Sequence, residues 1–497
     1  MTTPLVSVII PACNEEHTIG EVIEEVTKLE YNLEIIVVIN GSTDNTEKIA
    51  RRFHVTVLLY KDPLGHDVGR AIGVKHAKGD ILLFLDSDFV IQAGQLTPFI
   101  AAVHEKKIDI ALNAYPKTIT KQNMITSSAK SLLNNMLNRP DLESSSMTNV
   151  PHAISRKALE IIGEKSLAIP PLALTKAVIN YLNVEKSAYV PLHKLNKKHK
   201  RNSSDPLIHL VMRDHLKAFK FLFQQKEQQM DFQHTSFSGK SPTLSPSPQK
   251  VTESPLPDED AKHFQTAALI FTSNSEKPLL PIIQKIRHEG IVNNIIVIDL
   301  NSNNYTYITD KDDTKVFFLS QLTYHEIKEA LLLELFKNRY FLVLNTDYSI
   351  YIDDLSKLLS PLLTGTYDMA TMYIKNLYEK NSIPYLGNIY LQYCLRQDKA
   401  LLQLPWFSPF MLTKHALQKI GLQHTANPFK LYTFAVIHQL KIKSIKHHIP
   451  IDINSFKASN QLSQLYIKDL SGCIAELIEQ KGTEGLYTPA FRAIDKI

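Results

Sequence analysis

An α/β architecture in two tandem copies, each a mainly parallel sheet flanked by helices, is what this 497-residue sequence predicts. Three observations predict it. Short apolar runs rich in β-branched residues alternate with stretches of helical period in the first part of the chain. The same pattern recurs further on, at a nearly constant offset. A stretch of prolines, serines and acids separates the two.

The first part supplies the elements in order. Val6–Pro11, Leu33–Ile39, Val55–Leu59 and Ile81–Leu85 are expected as strands. Between the first two, HTIGEVIEEVTKL places Ile19, Val22, Ile23 and Val26 on one face of a helix. Such alternation implies a parallel sheet whose ligands sit beyond the carboxyl ends of its strands. KSPTLSPSPQKVTESPLPDED, residues 240–260, cannot bury enough apolar surface to offset its ordering entropy. It marks a linker over 226–262, with domains at 1–225 and 263–497. PLIHLVMRDHLKAFKFLF, ahead of it, spaces Leu207, Leu210, Leu216, Phe219 and Phe223 as a helix would. Two readings stand for that helix: peripheral contact with a membrane surface, or packing within the protein, which the mixed charges on its polar face favour.

The second part repeats the first. VSVIIPACNEE is matched by AALIFTSNSEK, LFLDSDFV by LVLNTDYS and SRKALEIIG by TKHALQKIG, each at an offset of about 260 residues. The copies differ in their polar residues. Asp86 becomes Asn345, Asp44 becomes Asn303, Arg70 faces Glu329, and Gly65 and Gly69 have no glycine counterparts. Oligomer formation through the second copy is a further reading, since Tyr390, Tyr393, Trp406, Phe407 and Phe410 could line a contact surface or fill the domain's own interior.

Composition narrows the field. A net charge of +5, with 21% charged residues, argues against nucleic acid as a partner. Cys13, Cys394 and Cys473 are far apart and form no CxxC pair, so reduced thiols in a cytoplasmic protein are expected. The apolar run Leu5–Ile10 is too short for a signal core or a membrane span, and no transmembrane segment is expected.

The chemistry concentrates where the fourth strand ends, in Asp86-Ser87-Asp88. Two carboxylates held at the end of a buried strand suit Mg²⁺ or Mn²⁺ shared with a diphosphate. The preceding LGHDVGRAIG offers Gly65 and Gly69 for close backbone approach and Arg70 for negative charge. Together these describe a nucleotide-diphosphate site.

With IIPACNEEHTI at strand one, INGSTDNT at the end of strand two, AKGDILLFLDSD and NVPHAISRKALEIIG in that order, residues 5–205 resemble the family 2 glycosyltransferases of GT-A fold, a Rossmann-like architecture. The glycine loop and DSD block are similar to the glucosyl-3-phosphoglycerate synthase group. The resemblance implies a metal-dependent transferase using a nucleotide-sugar donor, a UDP-sugar, and a hydroxyl or phosphorylated acceptor. It implies that Pro11, Ala12 and Glu15 border the nucleotide, that Asn40 and Asp44 lie at the base, that Asp88 is the principal metal ligand, and that Asp86 touches ribose or metal. The alternative for Asn40 and Asp44 is that they simply cap the helix beginning at Thr46. In KKHKRNSSDP, His199 stands where the retaining synthases have a metal-binding histidine, although HKLNKKHKR also reads as a solvated basic turn.

One departure matters. Inverting members carry an acidic pair after the acceptor segment, and here LAIPPLALTKAVINYL places Pro170 and Pro171 there. A retaining mechanism, a base such as Glu164, or a nucleotide-binding pseudoenzyme acting as scaffold all remain compatible with that stretch. A nucleotidyltransferase is disfavoured, because PACNEEHTIG is not the glycine- and Arg/Lys-rich signature its first strand needs.

Overall fold

The computed structural model describes residues 4–115, 124–195, 206–234, 265–272, 279–299, 315–320, 338–346, 355–373, 382–395, 409–446 and 460–485. They form two compact units, one from residues 1–231, 380–394 and 474–497, the other from 232–379 and 395–473, as far as these are described.

The first unit holds a seven-stranded sheet in the order β3-β2-β1-β4-β6-β5-β7. Its strands are β1 (Leu5–Ala12), β2 (Asn32–Asn40), β3 (Thr56–Tyr60), β4 (Ile81–Phe84), β5 (Ile110–Leu112), β6 (His152–Ser155) and β7 (Val184–Lys186). The four expected strands are all present, and in three of them the apolar run is buried: Val6, Val8, Ile9 and Ile10, Ile36–Ile39, and Leu82–Phe84 are fully buried, while β3, at the sheet's edge, is only partly covered. A strand covered by helices on both faces carries no alternation. Pairing is parallel except at β6, which runs antiparallel to β4 and β5.

Helix α1 (Ile19–Thr27) buries Ile19, Val22, Ile23 and Val26, as its spacing predicts. It shares one face of the sheet with α4 (Ala93–His104). α3 (Val68–His76) and α7 (Pro170–Ile179) cover the other. α3 lies close because it has glycines where it meets the sheet. A Cβ on Gly69 would come within 2.9 Å of Pro11, and one on Gly73 within 2.5 Å of Ile9. The lack of a side chain at Gly69 therefore lets α3 approach β1, where the sequence suggested close approach of the backbone to a ligand.

α2 (Thr46–Ala50), α5 (Met124–Met136), α6 (Arg156–Ile162), α8 (Leu192–Leu195) and α9 (Pro206–His234) complete the first unit's described helices up to His234. α9 continues through residues 226–234, the beginning of the stretch expected as linker, where Gln, Lys, Glu and Met are strong helix formers. Leu210, Leu216, Phe219 and Leu222 are buried, together with Arg213, Asp214 and His215. Its apolar face is thus used within the protein. Among the described residues no helix is long and apolar enough to cross a membrane.

The second unit's sheet has the equivalent order, β10-β9-β8-β11-β13-β12-β14. Its strands are β8 (Thr266–Thr272), β9 (Asn294–Asp299), β10 (Lys315–Ser320), β11 (Tyr340–Asn345), β12 (Met369–Tyr373), β13 (Phe410–Thr413) and β14 (Ile442–Lys446). Again one strand, β13, runs antiparallel to its neighbours. α10 (Leu279–His288), α11 (Leu355–Leu363), α12 (Ile383–Cys394), α13 (Lys414–Ile420), α14 (Pro428–Ile437) and α15 (Asn460–Gly485) follow in chain order, with α12, and α15 from Ile474 on, placed in the first unit. Two mainly parallel sheets flanked by helices are the tandem α/β class that the sequence predicts.

Candidate functional site

Strand order in the first sheet reverses between β1 and β4, which have β2 on one side and β6 on the other. A crevice opens beyond the carboxyl ends at such a point. β4 leads there into Asp86-Ser87-Asp88. Ser87 is buried, its hydroxyl donating to Pro11 O at 2.8 Å while its carbonyl accepts from Thr18 Oγ1 at 2.7 Å. The middle residue therefore ties the turn to β1 and to the start of α1, and both aspartates are half-buried.

Arg70 is the charge beneath them. Its side chain is 6% exposed and pairs with Asp67 at 3.1 Å and Asp86 at 2.9 Å. It also donates to Met147 O at 3.2 Å. Burial works against its charge, but Asp67 and Asp86 outweigh burial and raise its pKa. Asp67 can reach because it precedes α3 in the left-handed conformation, φ 63°. The result is a fixed cation holding the first aspartate of the pair.

The loops after β1 and β2 are laced together. Asn14 Oδ1 accepts from Thr43 N, and Asn14 N donates to Ser42 Oγ. Glu15 N donates to Thr46 Oγ1, and Glu16 N to Asp44 Oδ2. Asp44 also accepts from Thr46 N at the first turn of α2, and these hydrogen bonds lower its pKa against the opposing effect of burial. Asp44 thus holds the first amide of α2 from the residue before its N-cap, Asn45. Asn40 spends its amide on Leu64 N and Gly65 O, fixing the loop before α3. Cys13 is exposed on this rim, its thiol pushed up by burial and by Glu15 and Asp44.

A wall formed by residues 143–152 completes the described site. α5 holds it: Lys130 Nζ donates to Asn149 Oδ1 at 2.6 Å, Ser131 and Ser144 hydroxyls lie 3.0 Å apart, and Asn134 Nδ2 donates to both Glu143 O and Ser145 O. His152 is buried at the start of β6, stacked on Phe84 with ring centroids 4.7 Å apart. Its Nδ1 faces Asn149 O at 3.0 Å, so that nitrogen carries the proton. Burial, then Arg70, push its pKa down to about 3. It is a neutral packing group.

Pro11 and Ala12 end β1, Glu15 follows it, Gly65 precedes α3, Arg70 lies in the first turn of α3, and Asp86 and Asp88 follow β4, while Asn40 and Asp44, at and after the end of β2, have their side chains engaged in the loops. His199 lies outside the described residues. The described residues add no third His, Cys, Asp or Glu to the two carboxylates in metal-holding geometry. With Asp86 held by Arg70, Asp88 is the carboxylate whose chemistry suits a hard cation shared with phosphate oxygens. Pro170 and Pro171 prove to be buried residues opening α7, as Pro428 opens α14. Thr18, Asp67, Lys130, Asn134, Met147 and His152 were not anticipated. Only the Asp-x-x-Arg spacing of Asp67 and Arg70 was a signal available beforehand.

Comparison with known proteins finds relatives of this part of the chain. The family model for glycosyl transferase family 2 matches residues 7–160. A glycosyltransferase, GlyG, of Streptococcus pneumoniae is 32% identical over 117 residues, 22% of this chain and 39% of the relative. AglE, a glycosyltransferase of Haloferax volcanii, is 39% identical over 95 residues, 18% of this chain and 31% of the relative. The glucosyl-3-phosphoglycerate synthase of Mycolicibacterium paratuberculosis is 35% identical over 104 residues, 19% and 32% respectively. The chain thus spans about a third of the length of these curated relatives. A crystal structure of glucosyl-3-phosphoglycerate synthase from Mycobacterium tuberculosis, in complex with Mn²⁺, UDP and glucosyl-3-phosphoglycerate, is 20% identical. That alignment covers 43% of this chain and 80% of the other, with a TM-score of 0.33.

Proposed function

We propose, from the family 2 glycosyl transferase match over residues 7–160, that the first unit transfers a sugar from a nucleotide-diphosphate donor, a UDP-sugar, to a hydroxyl or phosphorylated acceptor, with a divalent cation, Mn²⁺ or Mg²⁺. The observation that carries the reading is the buried Arg70 clamping Asp86 beside Asp88 at the sheet's switch point. Two acids at a strand end are common; two acids with a buried cation fixing one of them are a built charge pattern.

In this reading the residues divide the work. The laced loops of Pro11–Glu16 and Asn40–Thr46 frame the base and ribose. Asp86, its charge balanced by Arg70, accepts a hydrogen bond from ribose without competing for metal. Asp88 holds the cation, which when bound neutralises the diphosphate leaving group. The unoccupied role is that of a general base, since helix-opening prolines stand where the acidic pair would be. Transfer with retention, in which the departing diphosphate takes the acceptor proton, needs no such residue. The same prolines favour the second reading, a nucleotide-sugar-binding scaffold without catalysis.

The C-terminal copy is read as a degenerate, non-catalytic GT-A-like domain. Asn345, at the position of Asp86, is uncharged and donates to Ala426 O. Domains at 1–225 and 263–497 remain the proposed duplication units. The test is calorimetry with UDP and Mn²⁺ followed by a transfer assay over a panel of nucleotide sugars. Asp88→Ala should abolish metal-dependent binding, Asp86→Asn should weaken it less, and equal binding by Asp88→Ala would remove the site. Binding without turnover of any donor would favour the scaffold.

A further inference from the structure

α5, which holds the 143–152 wall, is itself braced. α12 packs along it within the same compact unit. α12 also sets Tyr390 edge-on to Phe219 and Tyr393 edge-on to His209 of α9, with ring centroids 5.4 and 5.9 Å apart. Leu386, Ile389 and Tyr390, at helical spacing, are buried there. α12 is moreover the counterpart of α5 in the repeat, for α5 lies between β5 and β6 and α12 between β12 and β13. The first unit therefore takes a helix from the C-terminal part of the chain to support its own equivalent element.

We propose that α12 is a positioning element of the site at the end of β4. It fixes α5; Lys130, Ser131 and Asn134 of α5 fix residues 143–149; Met147 O fixes Arg70; and Arg70 fixes the Asp86 carboxylate. Beyond the packing of α12 on α5, each link is a hydrogen bond, and the Arg70 to Met147 bond, at 3.2 Å, stands at the long end of the useful range. Displacing α5 breaks that bond first and frees the guanidinium to turn. The C-terminal part of the chain thereby acts on the first site without supplying any group to the donor.

This inference rests on the reading of the crevice as a nucleotide site, and its test separates the two. The full-length chain carrying Tyr390→Ala is compared with the parent by hydrogen exchange and by titration with UDP and Mn²⁺. Faster exchange in the 143–151 backbone is expected, with Ile36–Ile39 of β2 unchanged, and UDP affinity about tenfold weaker, the scale of coupling through packed networks. Lys130→Met should reproduce both effects, and Lys130→Arg, which keeps the donor, should restore them. Should Tyr390→Ala not fold, the milder Ile389→Val and the Lys130 pair decide. The proposal is overturned if α12 loses protection while residues 143–151 and UDP affinity keep parental values, or if Lys130→Met matches the parent. A parent that binds no UDP overturns the nucleotide reading alone, because the exchange measurement needs no ligand.

Discussion

Where β5 meets β7, Asp109 accepts the Asn183 amide through Oδ2 and donates its own amide to Asn183 O; where β12 meets β14, Asp368 and Lys441 make the same exchange. Ser155 caps α6 through Ala158 N, and Thr413 caps α13 through Ala416 N. Glu25 accepts from Ala93 N at the start of α4, as Glu289 accepts from Leu355 N at the start of α11. Gly163 and Gly421 both end helices at φ near 80°, at 77° and 85°. These features sit at the sheets' amino-terminal ends and helix junctions. At the carboxyl ends the copies part: Asp86 pairs with Arg70, but Asn345 bonds Ala426 O, and Phe410 occupies the β13 position that His152 holds in β6. The fold is specified by contacts that chemistry does not touch, so the chemical end is free to change.

The largest effect expected from breaking this contrast is at Arg70. Arg70→Met leaves Asp67 and Asp86 without their buried cation, so unfolding by denaturant should show a loss of about 2–4 kcal/mol, with UDP binding lost as well. Asn345→Ala, the corresponding rim change in the second copy, should cost about 1 kcal/mol and leave UDP binding intact.

Acid should act next, and mainly on the first unit. His152 and His215 are both pushed down to about 3 by burial, His152 further by Arg70. Their pKa values are near 6.5 when unfolded, so the unfolded chain takes up protons first as pH falls. Their contribution is complete above about pH 6.5 and is lost as pH falls toward 3, at up to roughly 1.4 kcal/mol per unit for each histidine. His152→Phe, which copies Phe410 into the first sheet, should flatten the stability profile between pH 6 and 4 by about one proton's slope. An unchanged slope would show that His152 is not held neutral.

The smallest effect should be the same in both copies. Ser155→Ala and Thr413→Ala each remove one cap, at about 1 kcal/mol apiece. Unequal losses would argue against the equivalence of the two junctions.

Much of this was legible in the sequence, and unevenly so. Strands such as Ile36–Ile39 announce themselves because burial on both faces needs an uninterrupted apolar run, and the repeat offset carries the second sheet with it. At the end of β4 the residue types were legible, but Arg70, read as a group for a ligand's negative charge, is buried against Asp67 and Asp86. The partners of the site residues were not legible. Arg70 reaches Met147 and Asn40 reaches Leu64 and Gly65 across long sequence separations, and no local pattern reports such a bond. The recruitment of α12 was hidden for a related reason, since buried Leu386, Ile389 and Tyr390 specify a packed face without naming what it packs on.

The central claim, one nucleotide site in a duplicated fold, is tested most directly by the stoichiometry of UDP binding to the full-length chain in saturating Mn²⁺. One site per chain is predicted, falling to none in Asp88→Ala. Two sites per chain, or one site surviving in Asp88→Ala, would contradict it.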